Sequence, residues 1–303
     1  MGSAESIRVV AGIVRKQKRP VAVVVSAMTG VTNQLLESGK LALTSKMKES
    51  QKILEAIRVR HFTTIEELIV RDAKIADDTK RYVVKTLDTL AIFLDSLSGA
   101  DRITPEAHDT ILAVGERLSA RLLAAYLTDL GVPSEQVDLE RTIPGKFSVA
   151  DGSFYVAAEK FFGTAFKKVL AKKKIPVGTG YFGRVPGGML AAVGRGYSDF
   201  CGALAAAGLK ADCYEIWTDV SGVFTADPRK IKKAKLVLET ASGQKIMTYI
   251  TGIDTSSQYY KFLKEYVPTD VDLSLVRKIN VVIDTADLEG QNAEGTTVEM
   301  ALV

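Results

Sequence analysis

The chain has 303 residues, of which 47% are apolar and 25% charged, and its net charge is +4. That length supports one large domain or two small ones with a sizeable core, and so small a charge argues against the dense basic face of a nucleic-acid binder. Cys201 and Cys213 make neither a disulfide framework nor a metal-ligand spacing, no apolar run reaches the ~18 residues of a membrane span, and no secretory h-region is visible, so a cytoplasmic protein without membrane contact is expected.

Ser3 is placed to cap a first helix, "AESIRVVAGIVRKQ", in which Ile7, Val10, Ile13 and Val14 recur at helical spacing. The Val run of "PVAVVVSAM" predicts a buried parallel strand over residues 20–28, and "TNQLLESGKLAL" predicts the helix after it. Residues 47–98 keep mostly helical spacing with charges interleaved. A long helix should begin at Thr104 and Pro105 and close on Gly131. "SEQVDL" reads as a short strand, "SFYVAAEKFFGTAFKKVLAKKK" as a helix and "IPVGTGYFG" as a strand ending in glycines. "GGMLAAVGRG" suggests a hairpin-like return, "SDFCGALAAAGLKA" a helix of small residues and "CYEIWTDV" a strand. The stretch from Lys278 to the end adds one or two strands. This alternation predicts an α/β fold, a three-layer αβα sandwich around a mainly parallel sheet, with ligands beyond the carboxyl ends of the strands.

Polar and glycine-rich segments fall at those strand ends. "SAMTGVTN" (residues 26–33) follows the Val strand and precedes a helix, where free amides and small hydroxyls make an anion site, although turn and capping chemistry needs the same residues. "GTGYFG" (residues 178–183) and "GRGYSD" (residues 194–199) follow, the second without Rossmann or P-loop spacing. Arg195 suits a carboxylate or phosphate through its planar fork, and Asp199 and Asp219 could hold Mg²⁺ or orient groups that do. Together these groups suggest phosphoryl transfer, in which positioning and charge neutralisation supply most of the catalysis. His61 and His108 sit singly in helical stretches and carry no metal or acid–base role. Trp217 reads as core, and the lysine runs at residues 167–174 and 229–235 as solvated faces.

"VVVSAMTGVTNQLLE", "VGERLSARLLA", "PVGTGYFGR", "GRGYSD" and "EIWTDVSGVFTADPR" resemble, in order and spacing, the signature segments of aspartokinases of the amino acid kinase fold. The resemblance runs from about Gly2 to about Ala234, and more loosely to the "GTTV" near the C-terminus. It implies a single domain over residues 1–303, with an amino-acid-substrate lobe over about 1–175 and a nucleotide-binding lobe over about 176–303. It also implies transfer of the γ-phosphoryl of Mg-ATP to the side-chain carboxylate of L-aspartate, the first step of lysine, threonine and methionine biosynthesis, and leaves a homodimer possible. By position, Ser26 and Thr32 match residues that contact aspartate, Glu116 the acid that holds its ammonium, and Arg195 the arginine that grips its α-carboxylate. Tyr181 matches an aromatic beside the substrate, with Asp199 close by. Thr218 and Asp219 match the nucleotide-site pair, Phe224 the aromatic near the adenine, and Arg229 the ATP-contacting arginine in the Asp227-Pro228-Arg229 turn. Arg195 and Asp219 are the expected catalytic pair, and no residue is assigned to a protein-held metal.

The match has gaps. The family's first strand ends in Lys-Phe-Gly-Gly-Thr-Ser-Val, whose lysine and glycines meet the transferring phosphoryl group, and this chain opens at the segment that follows that motif. Near Gly252, Asp254 stands for an ATP-side lysine, and Tyr197 replaces a glycine of Gly-Arg-Gly-Gly-Ser-Asp. The chain stops where regulatory ACT domains would begin, so end-product control is not expected. Fewer cations around the phosphate chain predict weak or absent turnover. Two alternatives therefore stay open. One is a member acting on glutamate, acetylglutamate, carbamate or a nucleotide. The other is a catalytically impaired binding paralogue or fragment.

Overall fold

Side-chain caps and glycines decide where the helices start and stop. The computed structural model describes residues 1–217, apart from Lys146 and Arg195, and four further strands at 234–240, 245–250, 276–282 and 297–301. Helix α1 (Ala4–Lys16) starts at Ser3, whose hydroxyl accepts the Ser6 N–H, and buries Ile7, Ala11 and Val14. Strand β1 (Val23–Val25) is shorter than the Val run that announces it, and α2 (Val31–Leu43) follows from Gly30 at φ 84°.

The long helical stretch divides into α3 (Met47–Leu68) and α4 (Ala73–Ser96). The Asp129 carboxylate accepts the backbone N–H groups of Arg71 at 3.1 Å and Asp72 at 2.8 Å in the break. Asp72 then caps α4. Helix α5 (Pro105–Asp129) begins at Thr104 and Pro105 as expected, and Gly131 takes φ 84° just past its end. It is buried on almost every side, as a helix at the centre of a domain must be.

Strands β2 (Ser134–Val137) and β3 (Ile175–Thr179) complete a parallel sheet in the order β1-β3-β2, with Val23 and Gln136 both opposite Val177. Alternate strand residues serve opposite faces. Val25 and Val177 join the core built with α1 to α5, while Val24 packs against a second core of Phe154, Phe162, Phe166 and Phe182. That second core is closed by α6 (Gly152–Leu170), capped by Asp151, and by two later helices, α7 (Met189–Val193) and α8 (Tyr197–Leu209). Helix layers on both faces of a parallel sheet are the α/β architecture that the alternation predicts.

Three local expectations change. "GGMLAAVGRG" is helix α7 rather than a hairpin-like return, because the buried Asp109 carboxylate accepts the Met189 N–H and starts a helical turn. "CYEIWTDV" forms no strand where it is described. The Tyr214 hydroxyl donates to the Asp199 carbonyl at 2.8 Å and its ring lies on Gly202, tying the segment across α8. Trp217, expected in the core, is exposed, and its indole N–H donates to Glu215 at 2.9 Å.

The chain divides into two compact units, Met1–Tyr214 and Glu215–Val303. The second contains an antiparallel sheet of β4 (Ala234–Thr240), β5 (Lys245–Ile250), β6 (Val276–Val282) and β7 (Thr297–Ala301), in the order β5-β4-β6-β7. The last two are the strands expected near the C-terminus, and β4 and β5 are additional. Among the described residues no helix is long and apolar enough to cross a membrane.

Helices α6 and α8 cross at Gly163 and Gly208. A Cβ on Gly163 would lie 2.1 Å from the Gly208 carbonyl oxygen, whereas a Cβ on Gly12 of α1 meets nothing within 4 Å. Gly163→Ala should therefore destabilise the protein by about 2–4 kcal/mol. Gly12→Ala should be neutral or stabilise it by up to about 1 kcal/mol. Thermal or denaturant melts followed by circular dichroism check both signs.

Candidate active site

The carboxyl ends of β1 and β3 meet at Gly180. Its N–H donates to the Val25 carbonyl at 2.8 Å. A Cβ at this position would fall 2.7 Å from that carbonyl oxygen and 2.8 Å from Ser198 Oγ on α8. Only a residue without a side chain lets the two strands and the α8 N-terminus converge there. Both helices that start at this edge, α2 and α8, have no side-chain cap, unlike α1, α4, α5 and α6. Uncapped N-termini leave N–H groups and a positive dipole end directed at the space beyond the sheet.

Helix α5 lines this edge. Gly115 allows the approach, since a Cβ there would come within 2.8 Å of Ala27 Cβ. Ser119, fully buried, donates its hydroxyl to the Ser26 carbonyl at 2.6 Å and so fixes the first residue after β1. Glu116, one turn earlier, is 1% exposed, and its Oε2 has no hydrogen-bond partner. Burial pushes its pKa from an ordinary 4.5 to about 7, and backbone hydrogen bonding at Glu116 itself and Ala27 offsets this only in part. A fully enclosed carboxyl with one unpartnered oxygen is a site prepared for a donor, and an ammonium group is the donor that would also neutralise its charge.

Tyr181 stands beside it, almost wholly enclosed, its ring edge-on to Tyr197 with centroids 4.8 Å apart. The Tyr181 hydroxyl donates to Asp109 Oδ1 at 2.5 Å, and the same oxygen accepts the Met189 N–H at 3.0 Å. Burial raises the Asp109 pKa despite these bonds, and burial together with Asp109 raises that of the Tyr181 phenol. Behind this group, Arg117 binds Asp138 at 2.9 Å and also pairs with Glu140, which in turn takes Arg184 at 3.4 Å.

The residues singled out in the sequence are distributed as follows. Glu116 and Tyr181 lie close enough for the Glu116 charge to act on the phenol, and Glu116 and Asp199 both act on the buried Cys201 thiol. Ser26 is exposed at the end of β1, with its backbone held by Ser119. Thr32 is half-buried in the first turn of α2, and Asp199 is exposed in the first turn of α8. Arg195, Thr218, Asp219, Phe224, Asp227, Arg229 and Asp254 lie outside the described residues. Among the described residues no cluster of three His, Cys, Asp or Glu side chains could hold a metal ion. His61 is buried, with Nδ1 2.8 Å from the Ile57 carbonyl oxygen. Sequence reasoning passed over Asp109 and Ser119. The one available signal for Asp109 was its place seven residues before Glu116, two turns along one helix face.

Comparison with known proteins gives the site a context. A family model described as the amino acid kinase family matches residues 1–263. The aspartokinase of Schizosaccharomyces pombe is 36% identical over 210 residues, covering 69% of this chain and 40% of that protein. The aspartokinase of Saccharomyces cerevisiae is 35% identical over 254 residues, covering 76% of this chain and 46% of its own length. The chain thus spans less than half the length of these curated relatives. Among solved structures, aspartokinase III of E. coli in complex with aspartate and ADP superposes with a TM-score of 0.61 at 24% identity, over 77% of this chain and 50% of that one, a likeness of fold.

The buried Glu116 carboxyl makes stability depend on pH in a defined direction. Its folded pKa, about 7, exceeds the ordinary 4.5, so its contribution is fully present below pH 4.5 and is lost as pH rises through 7. The loss approaches about 3 kcal/mol. Glu116→Gln, neutral throughout, should gain stability relative to the parent between pH 5 and pH 8 by up to that amount, as denaturant melts at the two pH values will read.

Proposed function

The chain belongs to the amino acid kinase family, and on that basis we propose that it takes L-aspartate and MgATP and transfers the γ-phosphoryl group to the aspartate side-chain carboxylate, giving 4-phospho-L-aspartate. The observation that carries the reading is Glu116, a fully buried carboxyl with an unpartnered oxygen at the carboxyl edge of a parallel sheet. An α-amino acid brings the ammonium that such a group lacks. Its carboxylates suit the uncapped N-termini of α2 and α8 on either side. The aspartokinase names of the fungal relatives support aspartate among the amino acids, and the ADP in the E. coli neighbour's title supports a nucleotide partner. In this reading the product feeds the synthesis of lysine, threonine and methionine.

The chemistry asks little of the protein's own bases. The acceptor is a carboxylate, already a nucleophile, so catalysis reduces to alignment and charge stabilisation. Glu116 would pair with the substrate ammonium and release its proton on doing so. Ser26, set by Ser119, and Thr32 would border the substrate's acidic end, and the enclosed Tyr181 ring would form the wall. In this reading Arg195 grips the α-carboxylate, and Thr218, Asp219, Phe224, Asp227 and Arg229 meet MgATP. The metal arrives with the nucleotide and supplies neutralisation of its phosphates.

Calorimetry with L-aspartate, run in buffers of different ionisation enthalpy, tests the reading without needing turnover. Binding should release a fraction of a proton near pH 6.5 and almost none at pH 9, because the ammonium pulls the Glu116 pKa down from about 7. Glu116→Gln should abolish the release and weaken aspartate by tenfold or more, about 1.4 kcal/mol. Aspartate-dependent ADP release is measured alongside. Binding of glutamate, acetylglutamate or carbamate in place of aspartate would overturn the assignment. Binding of aspartate and ATP without ADP release would make the chain a binding member of the family instead.

A further inference from the structure

Asp109 belongs to no segment that carries the family resemblance, yet it is the most heavily engaged buried side chain near the site. It is 4% exposed, on the same face of α5 as Glu116 and two turns before it. Its carboxylate accepts the Tyr181 hydroxyl at 2.5 Å and the Met189 N–H at 3.0 Å and 3.2 Å. Tyr181 and Met189 are the two ends of one loop. Between them the loop backbone takes positive φ at Gly183, Arg184, Gly187 and Gly188, and the Gly188 N–H donates to the Val185 carbonyl at 2.8 Å in a single turn. Its middle is held by Arg184 on Glu140, and Gly188 lies against Pro105, where a Cβ would come within 2.6 Å.

We propose that Asp109 is a positioning residue for the substrate site: one carboxylate on α5 pins both ends of residues 181–189 and so holds Tyr181, and through it Tyr197 at the start of α8, in register with Glu116. This rests on the reading of Glu116 and Tyr181 as the amino-acid site. Asp109 and Glu116 share one rigid helix, so the wall and the ammonium acceptor are set by a single element. The Tyr181 hydroxyl is the device that transmits it. A phenylalanine there would fill the same space but lose the bond that ties the ring to Asp109. The two bonds also differ in role: Met189 N–H fixes where α7 begins, and Tyr181 O–H fixes the aromatic edge that faces Tyr197.

Amide hydrogen exchange and ligand titration on Asp109→Ala, Asp109→Asn and Tyr181→Phe test this. The peptide covering residues 181–189 should lose protection by roughly tenfold or more in Asp109→Ala. Asp109→Asn, which keeps one accepting oxygen for Met189, should restore most of it. In Asp109→Ala and Tyr181→Phe, L-aspartate should bind roughly tenfold more weakly, while ADP affinity stays within about twofold. Tyr181→Phe keeps the ring and its packing, so it reports even if Asp109→Ala fails to fold. The proposal is overturned if loop protection is unchanged. It is equally overturned if protection falls with aspartate affinity intact, or if aspartate and ADP weaken together as in a general loss of structure. Should the parent protein bind no L-aspartate, the proposed function falls, and the exchange result alone then decides whether Asp109 clamps the loop.

Discussion

Helix α5 lies inside the first unit with almost no surface of its own past its first turns, and the buried polar side chains it carries must be answered from within. Asp129 is met by two backbone N–H groups at the α3–α4 break, Ser119 by the Ser26 carbonyl, Arg117 by Asp138 and Glu140, and Asp109 by Tyr181 and Met189. These bonds fasten α3, α4, the end of β1, the turn after β2 and the loop after β3 to one rod. An unmet polar group in such a place costs on the order of 1–3 kcal/mol. The rod therefore dictates where its neighbours stand, and Glu116 is a carboxylate on it whose answer is left incomplete.

That incompleteness separates scaffold from site. The Arg117 cluster has opposite charges within reach, so its charges are met inside the protein and it adds rigidity. Glu116 has burial without a counter-charge, which raises its pKa toward neutrality and makes the ligand-free protein less stable than a glutamine would leave it. A binding site that strains the empty protein in this way gains differential affinity when the missing charge arrives.

The sequence told its story unevenly, for physical reasons. Helix α5 was legible from both ends, because Thr104, Pro105 and Gly131 act locally. The Val run located β1, although pairing confined it to Val23–Val25. Helix α7 was misread because its start depends on a carboxylate 80 residues away, and the segment 213–217 because Tyr214 is drawn to Asp199 instead of to a sheet neighbour. Glu116, Tyr181 and their companions were found through resemblance to a family. Asp109 was not, since a buried acid beside alternating apolar residues looks like any helical position until its partners are known.

The loop from Tyr181 to Met189 is closed at both ends by the same carboxylate, which makes it a ring set mostly into the core. The entropy of closing such a ring grows only slowly with its length. Between the anchors, however, Phe182 and Val185 are buried in the second core and Gly188 lies against Pro105, so an extra residue fits only at the tip around Pro186 and Gly187. Length polymorphism across evolution should gather at that tip alone, while the buried positions on either side keep their spacing.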